Sequence, residues 1–231
     1  MWLNDEKISD SAIRAYRKSL LSSCPNHIVI DDLFDDAKLD NVINVLQQQH
    51  DWKTQQHTYS ALYVDNNQWQ QASHDERFVQ RDAWQPETVS SNTANPDLAQ
   101  EFLSFLRGDA FMSVLSRIFN VRLTDINVTD PGINTNYFRL GPADFVEQHA
   151  DDSPGRELCM LVYLNKEWSN NAGGELVFIG ADDGPVSISP LYNRCVLFDP
   201  SSEGSEHWVE RLNAEHAGLY RYNVTSWYWS E

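Results

Sequence analysis

The sequence predicts an α+β, mainly β fold in which an N-terminal helical region supports a sandwich or barrel of short strands. Two patterns carry this expectation. Apolar residues recur at helical spacing only within the first 120 positions, and from 121 onward they fall in short runs parted by Gly, Asn, Asp and Pro. Length and composition bound the size: 231 residues, 41% hydrophobic and 12% aromatic, suffice for one well-buried domain. Residues 1–120 form its helical and loop-rich support region and 121–231 its β core. No internal repeat or low-complexity tract interrupts the chain.

Residues 8 to 22 space Ile8, Ile13, Tyr16, Leu20 and Leu21 as an amphipathic helix does, starting near Ser9 or Ser11 and ended by Pro25. His27-Ile28-Val29-Ile30 reads as a strand bounded by Asp31-Asp32, and 36–48 as a second helix burying Leu39, Val42, Ile43, Val45 and Leu46. Between 51 and 93 the periodicity fades. Gln, Asn and Asp there surround Trp52, Tyr59, Tyr63, Trp69, Phe78 and Trp84, a texture of long loops with aromatic anchors or of hidden short strands. Packing against the helices is the expected use of these rings, with a lid as the alternative. Helical spacing returns from Asp97 to Phe119, broken near Gly108, with Leu98, Phe102, Phe105, Leu106, Phe111, Leu115 and Ile118 as its stripe.

The strand-like runs that follow are Ile126-Asn127-Val128, Asn136-Tyr137-Phe138, Leu161 to Leu164, Glu175 to Phe178, Val186-Ser187-Ile188, Cys195 to Phe198 and Tyr222 to Tyr228. Acidic residues number 34 against 17 basic ones, a formal charge of -17 that repels phosphate backbones and argues against nucleic-acid binding. Most of that charge is solubilising surface, and it would also attract a basic protein. Cys24, Cys159 and Cys195 are odd in number, far apart and without a CxxC, as in a reducing compartment. With no basic-then-apolar N-terminus and no run of about 18 apolar residues, the expectation is a cytoplasmic protein with no membrane partner.

The chemistry lies in Glu147-Gln148-His149-Ala150-Asp151-Asp152. Residues two apart on a strand face one way, so His149 and Asp151 aim an imidazole and a carboxylate at one point. Two histidines and one carboxylate that leave coordination positions open are the ligand set of non-haem Fe(II) oxygenases. The second histidine must come from another strand. His27, His50, His57 and His74 precede the strand-rich region, and His216 sits in a turn-like segment from Asn213 to Gly218 as an exposed polar residue. His207 is the better candidate, since it follows the Cys195–Phe198 strand and a polar turn and opens Trp208-Val209.

An HxD pair alone is a weak signal, and its neighbours strengthen it. Tyr163-Leu164-Asn165 with Trp168, Gly173-Gly174-Glu175-Leu176, Pro190 with Asn193-Arg194 and Phe198, then His207, then Arg221-Tyr222 with Trp227-Tyr228 follow in order. The series resembles the prolyl-hydroxylase-like family of Fe(II)- and 2-oxoglutarate-dependent oxygenases, closely over 125–229. Ile28 to Leu46 and Leu103 to Phe119 resemble, more loosely, the elements that precede the barrel in its bacterial and ribosomal-protein prolyl hydroxylase branch. The resemblance implies a double-stranded β-helix, or jelly roll, whose wide mouth holds the metal.

By position, the resemblance implies His149, Asp151 and His207 as iron ligands, the lone histidine coming 58 residues after the first. It assigns Arg221, 14 residues after His207, to the distal carboxylate of 2-oxoglutarate, which a planar guanidinium grips through two parallel hydrogen bonds. Tyr163 and Thr225 match hydroxyl donors at the same carboxylate, and Gly173-Gly174 is expected to shape a turn. One departure stands out. Relatives carry an aromatic residue nine or ten positions before the first histidine, where this chain has Leu140 at position nine; Tyr137 would then supply the hydroxyl through a shifted register.

The cofactors implied are Fe(II), with 2-oxoglutarate and O2 as cosubstrates and ascorbate as an accessory, in a dioxygenase reaction that hydroxylates a carbon and releases succinate and CO2. Related halogenases give up the carboxylate ligand to chloride, so Asp151 favours hydroxylation. The resemblance points to a prolyl residue in a protein or peptide, and a basic translation-related protein would suit the acidic surface. Free proline or another small metabolite is the alternative, with Arg156 as a candidate for its carboxylate. A non-catalytic metal-binding jelly roll could dispense with a ligand or with Arg221, yet all four are present. A nucleic-acid demethylase is disfavoured by the charge.

Overall fold

The computed structural model describes residues 1–48, 51–86, 98–128, 130–169, 171–182, 184–213, 215 and 218–230; His216 and residues 87–93 of the aromatic-rich stretch lie outside them. Helix α1 (Asp10–Leu20) begins where the Ser9 side chain accepts the Ala12 N–H, and α2 (Asp36–Leu46) where Asp35 accepts that of Lys38. A short α3 (Asn66–Gln71) is closed by a capping box between Asp65 and Gln68. Gly108 separates α4 (Leu98–Leu106) from α5 (Asp109–Phe119) and serves as the N-cap of the second. These helices bury the expected stripes, including Leu39, Val42, Phe102, Leu106, Phe111 and Leu115. Among the described residues no helix is long and apolar enough to cross a membrane.

The strands are β1 (His27–Asp31), β2 (Trp52–Thr58), β3 (Arg77–Trp84), β4 (Thr135–Leu140), β5 (Phe145–His149), β6 (Arg156–Tyr163), β7 (Leu176–Phe178), β8 (Val186–Ile188), β9 (Arg194–Phe198), β10 (His207–Val209) and β11 (Arg221–Trp229). They form one antiparallel 11-stranded sheet in the order β1-β9-β6-β11-β4-β3-β5-β10-β7-β8, with β2 paired onto β3. The sheet curls. One face of β6, β9 and β11 presents Leu158, Met160, Val162, Leu197, Val224 and Tyr228 to the helices. Its other face sets Cys159, Leu161, Tyr163, Val196 and Phe198 against Leu176, Phe178 and Ile188 of β7 and β8, which are far away in sheet order. A curled antiparallel sheet backed by N-terminal helices is the α+β, jelly-roll-like architecture expected.

Two expectations about elements are corrected. Ile126-Asn127-Val128 is not a strand: Ile126 sits in a turn, 75% exposed, with nothing to pack against. Conversely, the polar stretch from 51 supplies β2 and β3, and β3 lies inside the sheet between β4 and β5. The reason is chemical. β3 pairs its polar side chains with neighbouring strands, Asp82 with Arg139 at 3.0 Å and Gln80 with Gln56 at 3.1 Å, so it is held without an apolar alternation. Of the aromatic anchors, Trp69, Phe78 and Trp84 are buried, while Tyr59 and Tyr63 are exposed.

Two asparagines of the motif series bind the layers together. Asn165 donates to the carbonyls of Pro190 and Tyr222 and accepts the Tyr222 N–H. Asn193 is fully buried with φ +52°, a left-handed backbone that asparagine tolerates. Its amide donates to the Phe34 carbonyl at 2.8 Å and to Asp36 at 2.7 Å, and its oxygen accepts the Phe34 N–H at 3.1 Å, tying the start of α2 to the sheet. Asn193→Ala would strand these groups and strain the backbone. Urea unfolding of that variant should show a loss of about 2–4 kcal/mol, and a loss below about 1 kcal/mol would mean the tie is dispensable.

Candidate metal centre

Strands β5 and β10 are antiparallel neighbours in which His149 stands directly opposite His207. The next pair is Val146 with Val209, so β5 carries one more residue than β10 between the two pairs. Three positions apart on a regular strand, Val146 and His149 would face opposite ways; the bulge turns both into the cavity. Asp151 follows just beyond the end of β5. One atom from each of His149, Asp151 and His207 lies within 4.8 Å of the others.

Both imidazoles are oriented from behind. Nδ1 of His149 lies 2.9 Å from the Glu147 carbonyl, and Nδ1 of His207 lies 3.0 Å from that of Ser205. A carbonyl only accepts, so each Nδ1 carries the hydrogen and each Nε2 offers a lone pair to the centre. Those Nε2 atoms stand 3.9 and 3.8 Å from the Asp151 oxygens, too far for hydrogen bonds and near enough to share one cation at roughly 2.1 Å from each donor. Burial, with a further push from His149, lowers the pKa of His207 to about 4 against the pull of Asp151 and the Ser205 hydrogen bond, so the ring is neutral at neutral pH. Burial works against ionised Asp151, but His149, His207, a Trp227 N–H at 2.9 Å and Arg156 outweigh it and hold its pKa low. Arg156 also donates to the Asp151 backbone carbonyl. Two imidazoles whose Nε2 atoms converge with an ionised carboxylate fit Fe(II).

The inner face of β11 continues this chemistry. Arg221, 1% exposed, donates through Nε to the Gly174 carbonyl at 2.6 Å, through Nη1 to Asn223 at 2.8 Å and through Nη2 to the Tyr163 hydroxyl at 3.3 Å. Asn223 in turn donates to Thr225 at 2.9 Å, and Trp227, next on that face, is the residue that holds Asp151. Arg221, Tyr163 and Thr225 are thus brought together as expected. No carboxylate pairs with Arg221 among the described residues. Its burial lowers its pKa, and Tyr163 and Glu175 only partly offset that. Gly174 has φ +81°, and a Cβ there would come within 3.1 Å of Arg221 and 3.0 Å of Trp168. Its role therefore extends beyond the expected turn, because its carbonyl aims the guanidinium.

Tyr137 requires correction. It pairs with Val224 in β11 and shares that residue's helix-facing side, where its hydroxyl donates to the Ala99 carbonyl at 2.7 Å. It cannot contact a cosubstrate. Phe138 and Leu140, opposite Asn223 and Arg221, take the inner positions. Sequence reasoning also missed four residues. Asn223 was accessible from strand alternation between Arg221 and Thr225, and so was the hold of Trp227 on Asp151. Arg81 and His57, on β3 and β2, had no apolar pattern to reveal them. All but Asn223 line the cavity of about 630 Å³ that contains His149 and Asp151 and has Tyr59 and Tyr63 at its edge.

A curled antiparallel sheet with a His-x-Asp and a distant histidine on its inner face is the architecture of a non-haem iron oxygenase. Residues 135–229 match the 2OG-Fe(II) oxygenase superfamily, and that match together with the His149, Asp151 and His207 group implies Fe(II) and 2-oxoglutarate as cofactors. Prolyl 3-hydroxylase OGFOD1 of Xenopus laevis is 32% identical over 124 residues, 51% of this chain; the chain spans only 22% of that relative. Among solved structures, a Pseudomonas putida prolyl-4-hydroxylase is similar with TM-score 0.60 and 16% identity, over 95% of this chain and 99% of that one. A Trichoplax adhaerens prolyl hydroxylase in complex with a hypoxia inducible factor peptide fragment gives 0.65 and 17%, over 98% and 91%.

His57 makes the site's stability depend on pH. It is 4% exposed, its Nδ1 accepts the Tyr63 N–H at 3.0 Å, and burial, then Arg81 and His149, lower its pKa from 6.5 to about 4. The unfolded chain takes up this proton first, so the contribution of His57 is complete above pH 6.5 and is lost as pH falls through about 4. Denaturant titrations of the metal-free protein over that window should give a pH slope shallower by about one proton in His57→Gln than in the wild type. An unchanged slope would show that His57 is protonated in the folded state.

Proposed function

We propose that the chain is an Fe(II)- and 2-oxoglutarate-dependent dioxygenase that hydroxylates a prolyl residue of a protein or peptide, releasing succinate and CO2. The observation that carries this reading is the inner face of β11, where a buried guanidinium without a counter-charge is hydrogen-bonded through Asn223 to Thr225, and Trp227, next on the same face, donates to the carboxylate of a metal-ligand set. His149, Asp151 and His207 would hold the Fe(II), which together with 2-oxoglutarate supplies the activation of O2 when bound. Arg221 would receive the distal carboxylate, with Tyr163 and Thr225 adding hydroxyls; a buried cation lacking a partner is stabilised by such an anion.

The other residues position and dry the site. Phe178 and Phe198 pack edge-on against His207, and Phe78 lies tilted against His149, so that apolar rings flank both ligands. Arg156 is engaged with Asp151, so it is poorly placed to recognise the carboxylate of a free amino acid. The cavity instead opens between two exposed tyrosines, Tyr59 and Tyr63, whose faces suit a prolyl ring carried on a peptide. The relatives named above as prolyl hydroxylases support the same substrate class. A net charge of -17 favours a basic protein, such as a translation-related one, as the partner.

Anaerobic titration of the Fe(II)-loaded protein with 2-oxoglutarate should develop the weak visible charge-transfer band of bidentate chelation, lost in His207→Ala. Arg221→Met should keep iron and raise the dissociation constant for 2-oxoglutarate roughly 10- to 100-fold. Proline-containing peptides from basic proteins should then gain one oxygen atom by mass spectrometry. Iron binding without the band would assign the chain instead to the non-catalytic metal-binding modules.

A further inference from the structure

β3 carries Arg81 into the cavity that holds the metal ligands. Its guanidinium lies over the Phe138 ring, 3.5 Å from the ring centre, and makes no hydrogen bond or ion pair among the described residues. The Nε atom is closed off from solvent with no acceptor. Arg81 is within electrostatic reach of Asp151 on one side and of Arg221 on the other. Phe138, on which it stacks, stands opposite Asn223, a partner of Arg221. Burial and the like charge of Arg221 lower its pKa to about 10, opposed by Tyr63 and Asp151, so it is charged at neutral pH.

A second donor converges on the same space. Because the backbone N–H of Tyr63 donates to Nδ1 of His57, the hydrogen of that neutral ring sits on Nε2. This atom is buried and has no acceptor, on a residue that lines the cavity. Three of the five guanidinium hydrogens of Arg221 are directed at Gly174, Asn223 and Tyr163, which leaves two for a ligand, whereas among the described residues no bond engages those of Arg81 or the Nε2 hydrogen of His57. Buried Arg221 and half-buried Arg81, neither with a carboxylate partner, repel each other, an arrangement that an anion with two separated charges would complete.

We infer that Arg81, assisted by His57, binds the metal-proximal carboxylate of 2-oxoglutarate, so that the dianion meets one guanidinium at each end. This rests on the cosubstrate reading above. A carboxylate that ligates a metal through one oxygen leaves the other needing donors in a cavity walled by Phe78 and Val146, and Arg81 with His57 supplies them. The assignment separates the two ends of the ligand: Arg221 recognises the distal carboxylate and Arg81 the chelating one.

Calorimetric titration of the Mn(II)-loaded protein with two probes tests this. 2-Oxoglutarate presents both ends, and oxalate presents only the chelating one. Arg81→Met should weaken both by about tenfold, Arg221→Met should weaken 2-oxoglutarate alone, and His57→Gln should weaken both by about threefold. Arg81→Lys, which keeps the charge and loses the planar fork, should recover part of the loss for both probes; it decides the matter if Arg81→Met misfolds by circular dichroism. Unchanged oxalate affinity in a folded, Mn(II)-binding Arg81 variant would overturn the inference and turn Arg81 toward the substrate. A wild-type protein that takes up Mn(II) but neither probe would overturn the cosubstrate reading itself.

Discussion

The register between β5 and β10 is the constraint on which the rest depends. Side chains alternate with a period of two, so a slip of one residue would send His207 to the far face and leave Asp151 and His149 without their third partner. Several features fix that register. β10 is held on its other side by β7, where His207 stands opposite Phe178, and the bulge in β5 lets the Val146–Val209 and His149–His207 pairs coexist. The carbonyls of Glu147 and Ser205 then hold the imidazoles from behind. The ligand geometry is therefore a consequence of strand pairing, with each side chain aimed by backbone that the sheet already orders.

This dependence explains what could be read in the sequence. The His-x-Asp pair stands at an interval that strand alternation exposes and His207 opens a later strand, while Arg221 was read from the family resemblance; Arg221, Thr225 and Trp227 share one face by alternation. The helices other than α3 were legible because their buried stripes and caps are local; α3 is too short for a stripe and lies in the polar stretch. β2 and β3 were not, because residues such as Gln55, His57, Gln80 and Arg81 face a cavity or one another, and a strand lining a polar site carries no apolar period. Tyr137 was misassigned for the complementary reason. On β4 both faces are buried, so composition could not say that its ring packs under Trp84 while Phe138 and Leu140 look inward.

The motif residues divide between two tasks. Asn165 and Asn193 spend all their hydrogen bonds on joining strands and the start of α2, and Arg194 is engaged with Asp31 at 2.7 and 2.9 Å. Gly174 belongs to both tasks, since its left-handed backbone makes the turn and its carbonyl aims Arg221. A motif in this chain thus marks where the sheet must be exact for the site as often as it marks a group in contact with ligand.

Charge is distributed against the average of the chain. The surface carries most of a formal -17, yet Arg81 and Arg156 lie within electrostatic reach of the one carboxylate of the ligand set, and Arg221 within that of Arg81. Arg156 is spent on Asp151, which leaves two cations in a low-dielectric cavity without counter-ions. An acidic exterior slows the approach of a dianion, so selection for one has to come from inside, where desolvated charges act most strongly. The same exterior would favour a basic polypeptide, the substrate proposed above. Opposite potentials at the surface and in the cavity would let a small anionic cosubstrate and a cationic macromolecular substrate reach one centre without competing for the same charges.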